Sequence, residues 1–219
     1  MMRYMIHAAP PRMWYVEEFL IPSMTEQGIP EDDITVWNDA EMNGNLKAFL
    51  GSMEFCAGQP GGTWHLQDDV IISRRFAELT QANNEGLVCG FHCTNFSWHP
   101  VTRGRVPANF MWFSFPCIRI PNDLGGRFLH WFNNVAMYRP AFEKQIQEGK
   151  GDDWFFLKYV LEEERDLRVL NLQPNLVDHV DYLIGGTLVN PDRSIQINRA
   201  AYFEDADLVD ELEEKLKNR

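Results

Sequence analysis

A chain of 219 residues with a net charge of −12 is long enough to bury a sizeable core as one domain, and too acidic for its main task to be an electrostatic grip on a polyanion. Its hydrophobic content of 45% and aromatic content of 13%, with seven Trp and fifteen Phe, exclude a disordered chain. The opening MMRYMIHAAPPR lacks the apolar run of a signal peptide and no stretch approaches the roughly 18 apolar residues of a membrane span, so a cytoplasmic protein without membrane contact is expected.

Residues 3–7 alternate weakly and stop at Ala8-Ala9-Pro10-Pro11, which predicts a short first strand ended by prolines. Over 13–27, Val16, Phe19, Leu20 and Met24 recur at helical spacing before Gly28 and Pro30, which predicts an amphipathic helix. The β-branched and aromatic run at 34–37 predicts a second strand, delivering Asp39 at its carboxyl end. Leu46, Phe49, Leu50 and Met53 mark a second helix closed by Gly58 and Pro60, and a third strand at 64–67 runs directly into Asp68 and Asp69. This alternation implies an α/β domain with a mostly parallel central sheet flanked by helices, binding its ligands beyond the carboxyl ends of the strands.

Further along, a helix is expected over 73–83, buried strands over 87–92 and 111–118, and one or two helices over 124–147, with Gly125-Gly126 and Pro140 as breaks. A helix over 152–164 starts on two aspartates, which suit its dipole, and a short strand follows at 167–170. The tail 205–219 places Leu208, Val209, Leu212 and Leu216 on one stripe, with acids early and bases late, which predicts a terminal amphipathic helix. The four cysteines, Cys56, Cys89, Cys93 and Cys117, show no CxxC pair and read as buried thiols. Arg103, Arg105, Arg119 and Arg127 form either one wall of a local basic groove or a solvated charge run.

Neither GxGxxG nor GxxxxGK[ST] is present, which argues against nicotinamide and P-loop chemistry. WHLQDDVII instead sets two carboxylates between apolar stretches, a costly arrangement unless the charges are compensated. Magnesium or manganese does this well, because both prefer carboxylate oxygens and keep open positions for a diphosphate. The plainer reading is a turn whose aspartates cap the next helix.

Three segments in order resemble nucleotide-sugar glycosyltransferases of the A-type (GT-A) fold. LQDDVII is similar to the acidic DxD motif of that family, which implies that Asp69 ligates Mn2+ or Mg2+, with Asp68 and Gln67 on the donor side. GKGDDWFFLKYV looks like the place where inverting members present an acidic base at a helix start, which implies Asp153, or its neighbour Asp152, as the catalytic base. LQPNLVDHV is similar to a late family stretch whose histidine completes the metal or diphosphate site, here His179, with Asn175 in place of the more usual serine. At the front, HAAPPR resembles the first donor-binding loop, which implies donor contacts by Ala8 and Arg12, while Asp39 meets the nucleobase or ribose.

The resemblance implies a single Rossmann-like GT-A domain over 1–219: a nucleotide-sugar-binding half, 1–100, an acceptor and catalytic half, 101–204, and the C-terminal helix, 205–219. The implied activity is transfer of a sugar, with inversion, from a nucleotide diphosphate donor such as a UDP-sugar to a hydroxyl, as in compact bacterial or phage-encoded members. The acceptor is a glycan or a hydroxymethylated base of phage DNA. Phe110, Trp112, Phe113, Phe115, Phe128, Trp131 and Phe132 are either acceptor-stacking rings or core. Gln67, standing where many relatives carry an acid, invites a competing reading: a noncatalytic carbohydrate- or partner-binding module on the same fold. A metal-dependent hydrolase would lack its usual His-rich ligands.

Overall fold

A computed structural model of the chain describes residues 2–42, 44–91, 104–107, 115–148, 152–186, 199–200 and 202–219. Strand β1 (Arg3–Ala8) turns Tyr4, Ile6 and Ala8 to one face of the sheet and Met5 to the other, the period-two pattern of a strand covered on both sides. The helical stretch after it is not one regular helix. A 3-10 turn (Pro10–Arg12) leads into α1 (Met13–Tyr15), a π turn (Val16–Leu20) and α2 (Ile21–Glu26), with the Ile21 amide donating to the Val16 carbonyl. Pro22, which has no amide to donate, stands where the widened turn hands back to α2.

Next come β2 (Ile34–Asn38), α3 (Asn45–Gly58), β3 (Thr63–Gln67), β4 (Val70–Ile72), α4 (Phe76–Ala82) and β5 (Leu87–Cys89). Gly51 in the middle of α3 lets the Trp37 ring lie against the helix, since a Cβ there would stand 2.6 Å from Trp37 Cζ2. The remaining elements are β6 (Gly104–Pro107), β7 (Cys117–Ile120), α5 (Asn122–Asn134), α6 (Glu143–Gln147), α7 (Asp152–Glu163), β8 (Arg168–Asn171), β9 (Val177–His179) and α8 (Ala206–Lys217). The strand expected at 111–118 is formed later, at β7, and 111–114 lie outside the described residues, as do Cys93 and residues 92–100.

The central sheet has seven strands in the order β2-β1-β3-β7-β5-β8-β6. β1, β2 and β3 are mutually parallel; β7 runs opposite to both β3 and β5; β8 is parallel to β5 and β6 is antiparallel to β8. Five strands therefore point one way, with β7 and β6 reversed, and the architecture is α/β with a mostly parallel sheet. β1, β2, β3, β5 and β8 end at one common edge, which is where loops from separate parts of the chain meet.

Each face of the sheet carries its own core. On one, Tyr15, Val16, Leu20 and Met24 pack with Tyr4, Ile6, Trp64, Leu66, Leu176 and the α8 residues Val209 and Leu212. On the other, α3, α5 and α7 bring Phe49, Phe128, Trp131, Phe132, Phe155 and Phe156 together. Phe115, Phe128, Trp131 and Phe132 are buried there, so these four rings are packing and not an acceptor platform; Phe110, Trp112 and Phe113 lie outside the described residues. Cys56, Cys89 and Cys117 are buried. Among the described residues no helix is long and apolar enough to cross a membrane.

A second sheet of two strands pairs β4 with β9 antiparallel, Val70 opposite His179. It was not foreseen, because three residues give no usable periodicity, yet it sets the site described next. Phe128 meets Phe49, Trp131, Phe132, Phe156 and Tyr159 and is fully buried, so Phe128→Ala should cost about 3–5 kcal/mol by urea denaturation with the transition still cooperative. A loss below about 1 kcal/mol would mean that this face is loosely packed.

Candidate functional site

Asp68 and Asp69 form the turn between β3 and β4 at the carboxyl edge of the sheet, and both are buried. They do not start a helix, so the plainer reading of the pair as a helix cap does not hold; α4 begins only at Phe76. The β4–β9 ladder lays the segment after β9 beside them, with the Val180 amide donating to the Asp69 carbonyl at 2.8 Å. That register places His179 Nε2 3.2 Å from Asp69 Oδ2, while its Nδ1 lies 3.2 Å from Asp181 Oδ1. The two most widely separated predicted ligands are thus in contact.

Arg12 closes the group from the other side. It is buried, and its Nη1 donates to Asp68 Oδ1 at 2.9 Å and also to Asp69 Oδ2, while Nη2 donates to the Gly186 carbonyl at 2.5 Å. The prolines before it supply the bend: the Arg12 amide donates to the Ala9 carbonyl at 2.9 Å, and the Ala9 amide, left outside the turn, donates to Asp68 Oδ2 at 2.7 Å. Ala8 itself is fully buried and contributes its carbonyl, which accepts from the Asp39 amide at 2.9 Å. Asp39 is buried at the same edge, and burial lowers the pKa of His7 against the opposing charges of Asp39 and Asp69.

The electrostatics follow from burying carboxylates beside cations. Burial and the neighbouring Asp69 charge raise Asp68 to about 6, against the pull of Arg12. Burial also opposes ionisation of Asp69, but the charges of His179 and Arg12 overcome it and hold Asp69 below the ordinary carboxylate range. For His179, burial works against the charged form, and Asp69 with Asp181 reverses this and lifts it to about 10. The resting site is therefore an ionised Asp69 clasped between an imidazolium and a guanidinium.

Of the predicted residues, Ala8, Arg12, Asp39, Gln67, Asp68, Asp69 and His179 all lie at the one edge. Gln67 is the last residue of β3, half-buried, its amide donating to the Pro116 carbonyl at 3.1 Å. The guanidinium of Arg12 is spent on the two aspartates. Asp152 and Asp153 open α7, and since α7 leads into β8 through the short connection 164–167, its first turn points toward the edge where β8 ends. Asn175 lies away from the charged group, its Oδ1 accepting from the Tyr202 amide at 3.2 Å.

The basic groove is not built by Arg119 and Arg127. Arg119 is buried and donates to the Gly86 and Gly61 carbonyls, both at 2.6 Å, and Arg127 pairs with Asp123 and Glu164. Arg103 lies outside the described residues. Asp181, Gly186 and His7 are site residues that the sequence reading passed over. The only available signals were the HVD spacing after β9 and the histidine at the tip of β1.

Asp69 and His179 are the residues at this edge that could take part in holding a divalent cation. Asp69 Oδ1 is buried with no hydrogen-bond partner, a carboxylate oxygen left open beside an imidazole. Among the described residues, no group of three or more His, Cys, Asp or Glu is arranged to hold a metal ion by itself. Two protein ligands are what Mg2+ and Mn2+ need when phosphates complete the shell. No protein-family model matches the chain, and no curated protein matches it.

His179 carries a folded-state pKa of about 10 against 6.5 unfolded, so its contribution to stability is complete below about pH 6.5 and is lost as pH rises toward 10. His179→Gln should lower stability by about 1.5–3 kcal/mol at pH 6 and by much less at pH 10, measured by thermal denaturation across that range. Parallel curves for the two proteins would contradict the ion pair.

Proposed function

We propose that the chain is a metal-assisted glycosyltransferase of the GT-A type, which moves a sugar from a nucleotide diphosphate, UDP foremost, to a hydroxyl with inversion. The observation that carries this reading is the contact of Asp69 with His179 at the carboxyl edge of a mostly parallel sheet. Ligands of α/β sheets bind at that edge, and the acidic turn after β3 together with a downstream histidine is the pairing that the GT-A resemblance implies.

In this reading Asp69 and His179, the latter once its imidazolium has given up a proton, would hold Mn2+ or Mg2+, which when bound would supply charge neutralisation to the departing nucleoside diphosphate. Asp39, at the end of β2, takes the ribose or base, and Ala8 with Gln67 line the donor between them. Asp153, at the start of α7, accepts the proton of the acceptor hydroxyl while that oxygen attacks the anomeric carbon. The bond from the anomeric carbon to the phosphate oxygen breaks, and the nucleoside diphosphate leaves with the electron pair. The burial of the acidic turn keeps bulk water from its carboxylates.

The acceptor favoured here is a glycan. With the guanidinium groups of Arg119 and Arg127 engaged by carbonyls and carboxylates and the chain at −12, two of the four cations that a DNA acceptor would call on are already occupied.

A panel of nucleotide sugars with Mn2+ tests the reading by thermal shift: one donor should raise Tm by several degrees, and Asp69→Asn should abolish the shift. No stabilisation by any donor would contradict it. Asp153→Asn should keep the donor-induced shift and lower kcat at least ~100-fold, as loss of a general base does; unchanged kcat would remove Asp153 from the role and leave Asp152.

A further inference from the structure

Resting on that reading, we infer that Arg12 is the site's built-in counter-cation, and that it makes occupation of the acidic turn by a divalent ion conditional on a diphosphate arriving with it. Arg12 is 5% exposed, reaches both Asp68 Oδ1 and Asp69 Oδ2 through Nη1, and holds the Gly186 carbonyl through Nη2. A guanidinium stays charged at any working pH, so the two carboxylates are already compensated before any ion comes. A lone divalent cation has to displace it. That would strand a guanidinium in a buried position, where its Nε already lacks a hydrogen-bond partner.

A diphosphate changes the balance. Its oxygens offer the planar fork of Arg12 a matching anionic partner, so the guanidinium passes from carboxylate to phosphate and is never left unpaired. The carboxylates it leaves are then open to the cation that travels with the phosphates, Asp69 once His179 has released its proton. Cation and diphosphate thereby raise each other's affinity by the same factor, as linkage requires, and the protein does not collect free metal. Asp69 Oδ1, buried and unpartnered, is the point at which such an ion gains a protein oxygen.

The test is Mn2+ retained by the full chain in equilibrium dialysis at fixed free Mn2+, with and without UDP. Wild type should bind Mn2+ at least ten-fold more tightly with UDP than without. Arg12→Gln should bind Mn2+ alone at least ten-fold more tightly than wild type does, and UDP should add less than three-fold. Tight binding of Mn2+ by wild type in the absence of UDP, equal to that with UDP, overturns the inference and leaves the glycosyltransferase reading standing. No Mn2+ on wild type even with UDP overturns both. The wild-type comparison needs no variant, so it can overturn the inference even if Arg12→Gln does not fold.

Discussion

Two adjacent carboxylates sit under the surface at the tip of β3, and the structure surrounds them with compensating cations and donors. Burying such groups is unfavourable by several kcal/mol each unless cations and hydrogen bonds replace the lost water. Here the replacements come from three distant stretches: Arg12 and the Ala9 amide from the first loop, His179 from the end of β9, and Gly186 from the segment after it, which anchors the other arm of Arg12. Removing any one cation leaves a buried anion short of compensation. The charge group therefore fixes the mutual position of loops that the sheet alone would leave loosely related.

The remainder of the fold supports that arrangement unevenly. The α3–α5–α7 face is an aromatic block, tightly interlocked, and it supplies rigidity. The opposite face carries the irregular helical stretch 10–26, the β4–β9 pair and α8, and these are the parts that place side chains. β9 is braced from behind: Asp178 is buried and accepts from the His179 amide at 2.9 Å, from Arg199 Nε at 2.5 Å and from the Ala200 amide at 2.6 Å. Arg74 in turn gathers Asp205, Asp207 and Glu211, which moors the start of α8. His179 owes its orientation to this bracing as much as to Asp69.

The strands that the sequence made legible are those with a strong local signature. β1, β2 and β3 carry β-branched or aromatic residues with clear stops, and their common direction follows from the helices between them. β4 and β9 were invisible because three residues show no period and their pairing is purely tertiary. The reversal of β7 was equally hidden, since a buried antiparallel strand reads the same as a parallel one. The π turn at 16–20 left only Pro22 as a hint. At the site, Asp69 and His179 were singled out through the family resemblance and the structure brings them into contact, but the use of Arg12 was not foreseen, because a basic residue after two prolines suits a phosphate contact as well as an ion pair. Only the geometry, with both carboxylates turned toward one guanidinium, distinguishes them. Asp181 and Gly186 were missed for the same reason: nothing local marks a residue whose role is to face another loop.

The account turns on whether one divalent ion and one diphosphate meet at the Asp69–His179 contact. A crystal grown with Mn2+ and UDP and measured at the manganese edge answers this directly. The account predicts an anomalous peak in coordination contact with Asp69 and His179, with the Arg12 guanidinium on phosphate. A peak elsewhere on the molecule, with Arg12 still paired to Asp68 and Asp69, would contradict it.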